Sequence, residues 1–420
     1  MAAVRIENRS QLIYLLTEAA ELEHEVLCCY LFASFSMKKN ASEALSAEQV
    51  ESVGRWNATI REIAVQEMVH LASACNLLTA VGGAPQLRKP NLPASPRAYP
   101  AAFKLRLVPF GREALEQFVF LERPQGLDGS EQQAPSYRDS PLSLGKLSDI
   151  FSSERKYGTL GELYRGIEDG LKYLTQKFGE ERLFIGPATA QTADSFFGLP
   201  GLIPVRDLAS ALEAVRVIIE QGEGASAEVE DSHYKRFLRM REEYGAILAT
   251  DASFEPGRPV LLNPYAIVPT DLSDSSELNL IDDPQSVDIC NLFDGCYELM
   301  IQMLGRLFVH AEESEADLSN LADTAVGLMF EAVEALGEGL TELVAGPSHP
   351  GKRAGASFRL SRGATIPTHK DAARFIFHER LTELVSYCRF LQLQKGAPAV
   401  LGQVSDALSR FAASFVPERE

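Results

Sequence analysis

Long apolar runs are missing from this chain. No stretch approaches the roughly 20 residues that a bilayer-spanning helix needs. The opening MAAVRIENRSQ has neither the basic nor the apolar region of a secretory signal, so the expected location is cytoplasmic. Basic residues are in deficit: 40 Lys and Arg face 58 Asp and Glu, a net charge of −18. That balance argues against sequence-independent binding to nucleic acid or to an anionic membrane, because both rely on basic patches. There is no Gly-rich phosphate loop, dinucleotide fingerprint or Ser-His-Asp order. The six cysteines (Cys28, Cys29, Cys75, Cys290, Cys296 and Cys388) show no metal-ligand or redox spacing. They read as small buried hydrophobes in a reducing compartment.

What is present is ordinary globular composition, 45% hydrophobic and 23% charged, arranged as long helices. Leu12, Leu16, Ala19, Glu23, Val26, Tyr30 and Ala33 recur at spacings of three and four, which predicts a first helix over 9–37. Ser46 and Gln49 have the form of a capping box opening a second helix that runs to Gly82–Gly83. These two make a long antiparallel pair. Prolines then recur from Pro85 to Pro141, so 85–158 is expected to be an irregular insertion holding one extended segment (103–110) and one short helix (112–124). Further amphipathic helices are expected over 159–178 and 205–221, and through AEVEDSHYKRFLRMREEY. After a proline-bearing loop come helices over 286–313, 318–344, 372–394 and 403–415. The expectation is all-α: a four-helix bundle over 1–250 and a second helical bundle over 251–420.

The chemistry starts at EIAVQEMVHLASACNLL. Glu67 and His70 are three residues apart in a glycine-free apolar run, so both leave one face of a helix and can hold one cation. That face also carries core-type residues, and burying an unpaired carboxylate is expensive. Glu230 and His233 repeat the spacing, and Glu23 interrupts the buried stripe of the first helix. Di-iron carboxylate bundles use one Glu from each of two helices and a Glu-x-x-His from each of the other two. Carboxylates bridge two cations and offset their charge, and imidazole suits iron and related metals. The helix between would supply one more Glu, and two stand there. Glu162 also fits a capping role after Thr159, and by helical phase it lies opposite the Leu163–Ile167–Leu171 stripe, while Glu168 lies beside that stripe. Phase alone does not choose.

LEHEVLCCYLFA, QEMVHLASACNLLTAVGGAP, FLERP, GELYRGI, IEQGEG and DSHYKRF, in that order over roughly 8–250, resemble the ferritin-like family of the iminophenylpyruvate dimer synthase domain. That domain occurs in bisindole-forming synthases and in smaller stand-alone proteins. The later segment resembles their helical extension more loosely, chiefly through AGASF (354–358). The resemblance implies a ferritin-like bundle with Glu23, Glu67, His70, Glu230 and His233 as metal ligands. It favours Glu162 over Glu168, because Glu162 occupies the motif position in GELY. Gln66 stands where the family would place a second Glu, and is taken as a non-ligand.

The reading that follows is a non-haem enzyme with two metal ions, iron or else manganese, acting with dioxygen on a small, amino-acid-derived metabolite. Tyr30, seven residues after Glu23 on the same stripe, is the candidate catalytic residue, as a donor to the ligands or a redox-active group. The insertion and the C-terminal bundle are expected to shape a substrate pocket over the metals. The alternative is an iron-storing or iron-sensing protein without an organic substrate. The sequence leaves open whether the chain forms a homo-oligomer.

Overall fold

The computed structural model describes residues 6–94, 103–124, 157–222, 230–269, 276–310, 312–361 and 369–416. Among them the helices are α1 (Arg9–Ser36), α2 (Ala47–Ala80), α3 (Arg112–Leu121), α4 (Leu160–Phe178), the single turns α5 (Glu180–Leu183) and α6 (Asp194–Phe197), α7 (Leu208–Gln221), α8 (His233–Thr250), α9 (Pro284–Val309), α10 (Glu315–Leu328), α11 (Ala335–Leu340), α12 (Lys370–Gln392) and α13 (Val400–Ser414). A single π-helical stretch over Met329–Glu334 joins α10 to α11. The regular strands are two residues each, Pro264–Tyr265 paired in parallel with Asn279–Leu280. Of the expected insertion over 85–158, residues 95–102 and 125–156 lie outside the described residues.

The helix ends follow the local chemistry. Asn8 caps α1 through the Gln11 amide, and Ser46 with Gln49 closes a reciprocal capping box at the start of α2. α1 and α2 run antiparallel and pack along their length. The other two columns of the bundle are each broken in the middle. One column begins at Phe110, whose amide donates to Ser36 Oγ, and passes Phe118 edge-on against Tyr30. It resumes as α4, where Tyr164 meets Glu23 and Gly170 abuts Ile6 near the start of the chain. α3 and α4 thus form one interrupted helix antiparallel to α1. The last column enters beside Asn76, which is held by the Thr192 and Ile203 carbonyls. α7 ends at Gln221 beside His70. α8 then continues past Gln66 and Trp56 to Asp251, which accepts from Gln49 at 2.9 Å. Both breaks fall at the level of Glu67 and His70.

The C-terminal helices pack on the outer face of the α1/α2 pair. Tyr297 of α9 reaches Cys28 and His24, and Gly337 of α11 abuts the Phe35 ring. AGASF sits at this junction. Phe358 stacks on Phe35 and lies edge-on to Phe293 and Tyr297, and Ser357 donates to buried Asp294. No helix among the described residues is long and apolar enough to cross a membrane.

Candidate metal centre

Five buried side chains converge between the two continuous and the two broken columns. Glu23 comes from mid-α1, Glu67 and His70 from mid-α2, Glu122 from the C-cap of α3, and His233 from the first residue of α8. They form two triads, Glu23–Glu67–His70 and Glu67–Glu122–His233, with potential ligand atoms within 4.8 Å of one another in each. Glu67 belongs to both. Its Oε2 is 3.0 Å from His70 Nδ1, and its Oε1 is 3.0 Å from His233 Nδ1. The imidazole rings lie nearly parallel, with centroids 5.7 Å apart.

The far nitrogens define the tautomers. His233 Nε2 meets Gln66 Oε1 at 2.9 Å, and His70 Nε2 meets Gln221 Oε1 at 3.0 Å. An amide oxygen only accepts, so each Nε2 carries hydrogen. Arg236, which also donates to Gln66 Oε1, fixes that amide's orientation. In the neutral imidazoles the Nδ1 lone pairs therefore face carboxylate oxygens, an arrangement that calls for a cation between them. Tyr30 donates to Glu122 Oε1 and Tyr164 to Glu23 Oε1. Gln66 thus serves its histidine from outside the cluster.

The residues fit a metal pair on the protein's own geometry. Glu23 Oε2, Glu67 Oε1, Glu122 Oε2 and His233 Nδ1 are buried without a hydrogen-bond partner. Buried polar atoms are almost always satisfied, so four such atoms at one place make a candidate cation site. Gly222 adds a second sign. A Cβ there would fall 2.6 Å from His233 Nδ1 and 3.1 Å from Glu122 Oε2, within the space a shared ion needs. In the bare cluster protons stand in for a cation. Burial and the neighbouring Glu67 push Glu23 well above the carboxylate range. Burial would raise Glu67 too, but His70 and His233 hold it far below that range. Burial would lower His233, yet Glu122 and Glu67 outweigh it and hold it at about 9.

Two expected ligands stand apart. Glu162 lies in the first turn of α4, where its carboxylate accepts from the Gly158 amide at 2.7 Å while Thr159 caps its own amide. That is the capping role, and at this level the column instead presents Tyr164. Glu168 also lies elsewhere, paired with Lys172 on the half-exposed side of α4. Glu230 precedes Ser232, the N-cap of α8, so it is not on a helix with His233, and its side chain is 82% exposed near Arg239. The candidate ligand that sequence reasoning missed is Glu122. Its signal was visible in FLERP, a carboxylate four residues beyond Phe118 on the buried face of α3.

A pocket over the metals was expected from the insertion and the C-terminal helices. The insertion contributes Glu122 itself. The C-terminal helices enclose a cavity of about 230 Å³ on the opposite face of α1 and α2, lined by His24, Met68, Leu71, Tyr297, Met300 and Phe330 among others. His24 there is neutral: it donates from Nδ1 to the Leu87 carbonyl at 2.7 Å, and burial with nearby Lys89 lowers it to about 3.

A protein-family profile described as ferritin-like matches residues 16–242, more than half the chain and all five converging residues. The chain belongs to the ferritin-like family. A ferritin-like protein from Caulobacter vibrioides has the same fold, with a TM-score of 0.52 and 16% identity over 85% of this chain and all of that one. Among curated proteins, this ferritin-like chain is 28% identical over 376 residues to the 2-imino-3-(indol-3-yl)propanoate dimerase of Chromobacterium violaceum, covering 83% of itself and 34% of the relative. It is 25% identical over 425 residues to the dichlorochromopyrrolate synthase of Lentzea aerocolonigenes, covering 91% of itself and 39% of the relative. The chain therefore spans between a third and two fifths of these relatives' length. The resemblance to such synthases, read from the motifs, is borne out.

Proposed function

We propose that this chain is a two-metal carboxylate enzyme, with iron the expected metal, that acts with dioxygen on a small amino-acid-derived imine or related aromatic acid. The observation that carries the reading is the pair of buried triads joined by Glu67, with four ligand atoms left unpartnered. The names of the two relatives support the substrate class. Glu23 and His70 would hold one ion, Glu122 and His233 the other, and Glu67 both. Bound iron would supply redox chemistry with dioxygen.

The protein's own part is positioning, proton placement and exclusion of water. Gln66 and Gln221 keep the Nε2 protons in place, so both imidazoles present Nδ1. Tyr30 and Tyr164 hold protons at Glu122 Oε1 and Glu23 Oε1, and can pass them to a ligand carboxylate or hold its charge. Tyr30, Phe118 and Phe237 pack against one another and seal the α3/α8 side from water. Elemental analysis of anaerobically purified protein tests the reading. Two iron or manganese ions per chain are expected, and a folded chain without bound transition metal sinks it. Oxygen consumption that deposits iron and ignores organic substrates would favour storage instead.

A further inference from the structure

Apolar space is expensive to keep open, because the side chains around it lose contacts that close packing would give them. Yet α1, α2, α9, α10 and the π-helical stretch border a cavity of about 230 Å³, on the face of α1 and α2 away from the candidate metal centre. Its walls are chiefly aliphatic and aromatic, and among the described lining residues none is Lys, Arg, Asp or Glu. Met329, Phe330 and Val333 of the π-helical stretch all line it, and such turns are frequent at functional sites. The large lining side chains most open to solvent are Val65 of α2 and Phe330, which places the mouth between them. Beside it, Arg61 of α2 pairs with Glu334 at the end of the π-helical stretch, tying the two rims together.

The walls specify an occupant. Apolar cavities stay dry, and one of about 150 Å³ holds a benzene. Scaled from those six carbon atoms, 230 Å³ holds about nine non-hydrogen atoms, which is two fused rings. Three of the chain's seven methionines, Met68, Met300 and Met329, line this space. Thioether sulfur packs favourably against aromatic rings and adapts to their outline. The polar part of the wall is His24, Cys28 and Tyr297. His24 Nδ1 donates to the Leu87 carbonyl, so its Nε2 accepts the Tyr297 hydroxyl proton. Cys28 then donates its S–H to the Tyr297 oxygen at 3.3 Å, which leaves that oxygen one lone pair. An N–H can use that lone pair, whereas a charged group would be buried without an opposite charge on the described walls.

We propose that this cavity is a binding site, separate from the metal centre, for one neutral two-ring aromatic molecule that carries an N–H and has the size of indole. The site does not depend on the two-metal reading. The test titrates indole into the full chain by calorimetry, with and without bound iron. One indole per chain is expected, with the same affinity in both forms. Benzamidinium, a flat cation of similar size, is expected to bind at least about tenfold more weakly. Tyr297→Phe should lower the affinity for indole by about threefold to tenfold and leave that for benzothiophene, which has no N–H, unchanged. Val326→Trp, which places an indole ring in the cavity from α10, should abolish binding while metal content and helical circular dichroism stay as they were. Val326→Ala should keep it. If Val326→Trp does not fold, Leu304→Phe fills the same space from α9. A folded chain that does not bind indole, or that takes benzamidinium equally well, would overturn the proposal. Undiminished indole binding in a folded, filled variant would overturn the location. Equal losses of indole and benzothiophene in Tyr297→Phe would overturn the N–H contact.

Discussion

The chain contains Glu-x-x-His twice, and the two copies end in opposite surroundings. In α2 the spacing lies in an unbroken helix, and Glu67 and His70 share a face at 0% exposure each. In EDSH the same spacing straddles a helix start, so His233 enters the centre while Glu230 stays in solvent. Spacing is a statement about geometry only where the helix is continuous. Glu122, at the end of the other broken column, stands where Glu162 had been expected. One half of the centre is thus built on two long helices, and the other on two helix termini that meet from different columns.

This contrast can be broken by substitution. Glu67→Ala should have the largest effect, with loss of both ions from the folded chain and no remaining turnover, read by metal analysis beside circular dichroism. Glu122→Ala or His233→Ala should reduce the stoichiometry from two ions to one, and Glu23→Ala should remove the other. If Glu122→Ala kept both ions, the centre would not be the one described. Gln66→Ala and Tyr164→Phe should each weaken metal binding by about 10- to 100-fold in an anaerobic titration without removing a ligand, as loss of a group that orients a ligand does elsewhere. Glu162→Ala should leave the metal content unchanged and cost about 1 kcal/mol in urea unfolding, the ordinary effect of a lost helix cap. Glu230→Ala should do least: both ions retained and stability within about 0.5 kcal/mol. Metal loss in that variant would restore Glu230 to the ligand set.

The two faces of the α1/α2 pair differ as sharply. Glu23 faces the candidate metal centre and His24 the apolar cavity. Likewise Glu67 faces inward to the centre, and Met68 lines the cavity. One residue of helix turns a side chain through about 100°, so neighbours in sequence serve different compartments. The C-terminal helices thus bury the back of the pair instead of roofing the candidate metal centre.

The sequence by itself determined the helices, their caps and the core stripe that carries Glu23, Glu67, His70 and Tyr30, because helical periodicity and capping are local. α1, α2 and α4 begin within one residue of where their caps and stripes placed them. It also contained the evidence for Glu162 as a cap, in the Thr159–Glu162 pattern and the opposing leucine stripe, which motif position then outweighed. Only the tertiary structure decided which of the described carboxylates gather at the centre. Where a bundle column breaks, the residues at that level are set by how two separate helix ends dock. No spacing along the chain encodes that the end of α3 and the start of α8 meet at Glu67.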